Sequence, residues 1–303
     1  MEQKANDRRS VLMIVSSMLI FGTIGVFRRY IPVSSAFLAF SRGILGGLCI
    51  FAFLRLTRRK PGEKLPFRVL LGLIVSGALI GINWILLFEA YNHTTVAVAT
   101  LCYYMQPTIV MLLSPLIFRE RLTGKKAACA AVAVIGMVLV SGVIGDNGAG
   151  NGDFRGVALG LGAAVFYSAV VIMNNKLRGI DAWRKTMIQL LSAGMVMIPY
   201  LLAAGGWSEE SFTPASVALL LVVGIVHTGI AYVLYFGSMD GLRVQSIALL
   251  SYIDPVSALL FSALLLREPL SLLSMIGAVM IIGSAVVSEL GKTNAPDRPG
   301  QGM

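Results

Sequence analysis

Few residues in this chain can do chemistry away from water, and Asp254 stands first among them. It lies in the apolar run 244–266, about ten residues from either edge. A carboxyl at the centre of a membrane helix costs at least roughly 2.5–3.5 kcal/mol, so its presence needs a reason. It can bind a cation or carry a proton through a transport cycle. The plainer alternative is a permanently neutral acid bonded to a neighbouring helix. Pro255 follows it and frees a carbonyl one turn back, near Ser251. Such a carbonyl is tolerated in a membrane only where it faces protein or a cavity. Gln106 and Pro107 repeat the construction without the charge. They either line the opposite wall of a cavity or form a helix–helix hydrogen bond.

Arg42, inside the run 34–54, lies about eight residues, roughly 12 Å, from one edge. From there it can snorkel to the headgroups, bind an anionic group or pair with Asp254. His227, midway along 215–236, is either a packing residue or a proton relay beside a midplane acid. Asn83 and Trp84 in the run 69–90 match Ala231 and Tyr232 in the run 215–236. Tyr103, Tyr104, Tyr235 and Tyr252 fall at similar depths. Together they are either core aromatics or the walls of a cavity for a small amphipathic solute. Rings of this kind can also hold an ammonium group by cation–π contact. Glu89 ends its run where water can solvate it, while Glu120 and Glu268 stand where a carboxylate can cap the following helix.

Several motifs are missing. No G-x-x-x-x-G-K-[ST] loop and no H-E-x-x-H occur, nor any paired acidic cluster. Direct ATP drive and metal-assisted catalysis therefore have no visible constellation, and neither an enzyme, a cofactor nor a metal is expected. Cys49, Cys102 and Cys129 lack metal-ligand spacing and read as small buried hydrophobes.

The elements that must hold these residues are membrane helices. Of 303 residues 56% are hydrophobic and 13% charged, against roughly 25% charged in soluble domains. A water-soluble enzyme is excluded. Ten apolar segments can be marked, near 11–27, 34–54, 69–90, 95–118, 127–144, 156–175, 185–204, 215–236, 244–266 and 271–289, each close to the ~20 residues needed to cross hydrocarbon. The first follows a positive start without a small-residue cleavage site, so it reads as an uncleaved span. With the N-terminus cytoplasmic, 20 of the 25 Lys and Arg fall on the inner side, four outside, and Arg42 within a span. That bias fits N-in and C-in. The net charge of +10 is thereby explained by orientation, and nucleic acid is not an expected partner. Gly43/Gly47, Gly77/Gly81, Gly156/Gly160 and Gly237/Gly241 have the spacing for close helix approach.

Sliding the chain by 148 residues lays 81–122 on 229–270 without a gap, with 14 of 42 positions identical. The matches include Tyr104/Tyr252, Pro107/Pro255, Arg119/Arg267 and Glu120/Glu268. Residues 1–145 and 156–290 thus form two five-helix repeats joined by a linker at 146–155. The polar stretch 291–303 reads as a disordered cytoplasmic tail. An odd number of spans per repeat turns the halves over relative to each other. That is the arrangement of alternating access, with a substrate site near the midplane.

Ten spans in two inverted repeats, each with Arg-Glu-x-Leu (119–122 and 267–270) before a Gly-bearing closing helix, resemble the EamA-type branch of the drug/metabolite transporter superfamily. The resemblance covers about 11–289. It implies an all-α integral membrane protein of a bacterial inner membrane, with a cavity lined by spans 1, 3, 4, 6, 8 and 9. It also implies export of a small organic metabolite such as an amino acid or amine. A facilitative uniporter and a non-transporting receptor or assembly protein are the alternatives. The expected partners are that solute and the lipid bilayer, and a homodimer is compatible with the pattern. The first half carries Gln106-Pro107 where the second carries Asp254-Pro255, so the pseudo-symmetry is broken at a charge.

Overall fold

A backbone in lipid has to satisfy its own N–H and C=O groups, and a long apolar run does so as a helix. The computed structural model describes residues 2–28, 30–57, 64–94, 96–120, 122–140, 154–203, 212–267 and 271–289, and among them there is no strand. The helices are α1 (Glu2–Arg28), α2 (Ser35–Leu56), α3 (Phe67–His93), α4 (Val96–Tyr103), α5 (Gln106–Phe118) and α6 (Gly124–Val140). They continue as α7 (Phe154–Lys176), α8 (Ala182–Ala203), α9 (Pro214–Val222), a π-helical segment (Val223–Ile230) and α10 (Ala231–Ser238). The last three are α11 (Val244–Ser251), α12 (Ile253–Leu266) and α13 (Leu272–Glu289).

Eight stretches are long and apolar enough to cross a membrane: Asp7–Phe27, Ala36–Leu56, Phe67–His93, Ala99–Phe118, Phe154–Lys176, Ala182–Ala203, Pro214–Ser238 and Val244–Leu265. Two further apolar helices are shorter: α6 has 17 residues, and α13 carries its apolar stretch over Met275–Val287. Most of the linker 146–155, all of the tail 291–303, and Glu268 lie outside the described residues.

Local chemistry explains the boundaries. Ser34 caps α2 by accepting the Phe37 N–H at 3.1 Å. Thr213 and Ser216 form a reciprocal capping box ahead of α9, with Pro214 at its first position. Arg119 and Arg267, 148 residues apart, both adopt left-handed backbone (φ 54° and 56°) and stop α5 and α12.

Two of the expected spans are broken in the middle, at the prolines read from sequence as helix breaks. One gives way at Tyr104–Met105 between α4 and α5, the other at Tyr252 between α11 and α12. Proline is the cause in each case. Pro107 and Pro255 lack the N–H that would bond one turn back, so each falls in the first turn of a new helix. The π-helical segment was not expected. There Thr228 Oγ1 donates to the carbonyl of Val223, five residues back, at 3.0 Å.

Contacts between helices recur with the same offset of 148. α3 packs on α7 as α10 packs on α1, and α4 and α5 lie on α7 as α11 and α12 lie on α1. α2 pairs with α8, and α6 with α13. Small residues permit these approaches. A Cβ on Gly77 would meet the carbonyl oxygen of Gln189 at 2.4 Å, and one on Gly43 would meet Gly194 N at 3.2 Å. The core lies between α1, α3, α7 and α10–α12, and every side chain of α11 is buried. Cys129 is buried and Cys49 and Cys102 half-buried, all as free thiols.

Lys185, counted from sequence among the charged flanks, is fully buried in α8. Its Nζ has no hydrogen-bond partner among the described residues.

Candidate functional site

Breaking a helix in mid-span leaves the first N–H groups of the next helix without intrahelical partners and facing a low-dielectric interior. The polar residues of the two halves gather at both breaks. Asp254 sits in the first turn of α12, where that field favours a carboxylate. Tyr104, from the break in the other half, donates its hydroxyl to Asp254 Oδ2 at 3.1 Å. Tyr252, in the break beside Asp254, shares a 2.5 Å hydrogen bond with Thr108 of α5. Ser257 has two carbonyls within reach of its one hydroxyl proton, that of Asp254 at 2.8 Å and that of Met18 of α1 at 3.1 Å.

Arg42 of α2 reaches into the same interior. Its Nε donates to Thr228 Oγ1 at 3.0 Å, and its guanidinium carbon lies 5.1 Å from the centre of the Trp84 ring. Asp254, Tyr103, Tyr167 and Tyr232 are all within its electrostatic reach. It makes no ion pair among the described residues, so Arg42 and Asp254 share this interior without bonding each other. Around them is an aromatic wall. Trp84 and Tyr232 have centroids 6.5 Å apart, Phe21 and Tyr232 5.1 Å, Tyr103 and Tyr104 5.6 Å, and Tyr103 stacks on Tyr167 at 5.9 Å. The wall is closely packed, with Trp84 and Tyr232 each 4% exposed and Tyr252 1%.

The remaining expected residues divide between this cluster and its supports. Gln106 begins α5, and its buried Nε2 has no partner among the described residues. Its backbone carbonyl accepts the Ser168 hydroxyl at 3.2 Å. Asn83 ties α3 to α7 by donating Nδ2 to the Ala163 carbonyl at 2.7 Å, while its Oδ1 is left without a partner. His227 is 2% exposed, shares a 2.8 Å hydrogen bond with Thr23 of α1, and meets the Phe27 ring edge-on at 4.6 Å. It makes no direct bond to Asp254. Glu89 is not simply solvated, because Tyr200 of α8 donates to its Oε1 at 2.6 Å. Glu120 accepts the backbone N–H of Val244 at the start of α11, at 3.4 Å, so it serves a helix of the other half rather than the next one.

Thr228, Tyr167 and Thr23 were not singled out from sequence. Each is polar at one atom and otherwise indistinguishable from a packing residue in a helical run. Thr228 matters only because of the π turn, which leaves no trace in hydropathy. A cavity of about 420 Å³ opens at the first break, beside Met105 and Thr108, and is otherwise walled by apolar side chains such as Ala130; one of about 370 Å³ beside Leu86, His93 and Arg155 lies away from this cluster.

Helices interrupted at mid-span, with polar side chains meeting at the breaks, define a membrane transport protein. Residues 8–142 and 154–289 each match the EamA-like transporter family, and the chain belongs to that family, within the drug/metabolite transporter superfamily. It is 27% identical over 296 residues to the uncharacterized transporter YxxF of Bacillus subtilis, covering 94% of this chain and 92% of that one. It is 28% identical over 220 residues to the protein PecM of Dickeya dadantii, covering 71% of this chain and 72% of PecM. One solved crystal structure superposes with a TM-score of 0.78 at 22% identity, over 93% of this chain and 98% of that one. That likeness bears on the fold.

Proposed function

We propose that the chain is a secondary active transporter that exports a small organic metabolite, such as an amino acid or amine, by alternating access. Residues 1–145 and 156–290 form two inverted five-span halves. α6 and α13 complete the tenfold count, and both termini are cytoplasmic in a bacterial inner membrane. The solute binds between the halves, among Trp84, Tyr103, Gln106, Tyr232 and Tyr252, and Asp254 couples its movement to a proton. Arg42 and Asp254 offer complementary charges to a solute carrying both signs.

The observation that carries this reading is the Tyr104–Asp254 hydrogen bond. It joins the one acidic side chain of the broken helices, in the first turn of α12, to the break between α4 and α5. A carboxyl there can change protonation and partner when the halves move.

Reconstitution tests it. Proteoliposomes with an imposed proton gradient should accumulate radiolabelled amino acids or amines, and Asp254→Asn should equilibrate solute without concentrating it. Concentrative transport by Asp254→Asn at the wild-type level would remove the coupling role. Absence of any flux would favour a receptor.

A further inference from the structure

We propose that Arg42 is the anchor for a carboxylate group on the transported solute, and that Thr228, presented by the π-helical turn, is its positioning residue. The inference rests on the transporter reading above and names the chemical class its site accepts.

A guanidinium has five N–H donors. Here one is committed, Nε to Thr228 Oγ1 at 3.0 Å. The four on Nη1 and Nη2 have no hydrogen-bond partner, and no carboxylate is within ion-pair distance, among the described residues. Arg42 is only half-buried, and neither Nη is among the buried atoms left without a partner, so this edge faces accessible space and not packed protein. The free edge is the one that matches a planar pair of oxygens in two parallel bonds. With a single positive charge, Arg42 balances a monoanion, and the apolar walls of Trp84 and Tyr232 suit a ligand with a hydrophobic body.

Thr228 is what makes the edge available. Its hydroxyl proton is spent on the Val223 carbonyl, so its lone pair accepts the Arg42 Nε–H. That bond sets the guanidinium plane, and the Trp84 face 5.1 Å away supports it. The π turn itself is braced against α2. A Cβ on Gly46 would meet the Gly224 carbonyl oxygen at 2.9 Å and Gly229 N at 3.1 Å, so α2 and the segment touch backbone to backbone. Arg42 and its acceptor are therefore placed on two elements that cannot drift apart independently.

The test uses purified full-length protein and two probes of matched shape, benzoate and its neutral counterpart benzamide. Benzoate should raise the thermal midpoint saturably at constant ionic strength, with an apparent Kd at least roughly tenfold below that of benzamide. Arg42→Gln should abolish the preference. Thr228→Val should weaken benzoate binding by about tenfold while leaving benzamide unchanged, and Thr228→Ser, which keeps the hydroxyl, should restore it. Equal protection by the two probes, protection by neither, or a benzoate preference that survives Arg42→Gln overturns the proposal. Arg42-dependent benzoate binding without solute flux in proteoliposomes would retain this site and refute transport. Flux without any benzoate preference would do the reverse.

Discussion

Tyr104 and Tyr252 sit in the breaks of their respective spans, 148 residues apart, and each sends its hydroxyl into the opposite half of the molecule. Tyr104 donates to Asp254 of α12, and Tyr252 bonds Thr108 of α5. The two interruptions are thus laced together by a crossed pair of bonds whose partners are not equivalent positions, since the counterpart of Asp254 in the first half is Gln106 and not Thr108. Only one strand of the lacing ends on a group that can gain or lose a proton.

That difference separates the two tyrosines experimentally. Tyr104→Phe and Tyr252→Phe each remove one interhelical hydrogen bond, which in membrane proteins is worth about 0.6 kcal/mol, so both should lower thermal stability slightly. Concentrative transport in proteoliposomes should fall at least roughly tenfold for Tyr104→Phe, since bonds to charged groups carry ~1.5–3 kcal/mol, and much less for Tyr252→Phe. Equal transport by the two variants would remove Tyr104 from the coupling machinery.

Close packing of α3 on α8 gives a second expectation. Gly77→Ala would force a methyl against the Gln189 carbonyl and Ser192 Cβ, at 2.4 and 2.7 Å, and should cost about 1–3 kcal/mol. Gly25→Ala, with nothing within 4 Å of the added carbon, should be neutral or gain up to ~1 kcal/mol in helix propensity. Urea or thermal unfolding in detergent compares the pair directly.

The buried ammonium of Lys185 makes a third. Asp240 and Arg178 are the charged groups within its reach, and neither bonds it among the described residues. Lys185→Met should raise stability by about 1–4 kcal/mol, the scale seen when buried charges give way to apolar side chains of similar volume. A fall in the unfolding midpoint would show that the ammonium is compensated in the native protein.

Arg119 ends α5 with positive φ, a conformation that L side chains adopt only at a cost of roughly 1–2 kcal/mol. Arg119→Gly should therefore hold or raise the unfolding midpoint, whereas the β-branched Arg119→Val should lower it. The same ordering is expected at Arg267, which shares the geometry.

Much of this was legible in the amino-acid pattern, because lipid imposes a strong rule on it. Apolar runs marked the spans, and the Tyr-x-x-Pro match marked the two breaks. Asp254 and Arg42 stood out through their cost in hydrocarbon. What hydropathy does not encode is which way a polar side chain turns. Asn83 and Gln106 looked equivalent as cavity amides, yet one ties α3 to α7 and the other leaves its Nε2 unmet. Lys185 looked like a solvated flank because a charge near a helix end usually snorkels, and here tight packing from neighbouring helices overrides that habit. The π turn was invisible, since hydrophobic period alone does not distinguish a widened turn from a regular one.

That widened turn has a bearing on time as well as on shape. Its counterpart in the first half lies within α3, an uninterrupted α-helix. Two interchangeable halves would make the two faces of a rocking protein equal in energy, with equal dwell on each. In the cycle proposed above, a bulge present in one half and not in the other would lift that degeneracy before any solute binds. For the rocking proposed above, the empty protein would favour one of its two faces, and the eight residues of this segment would be one source of that bias.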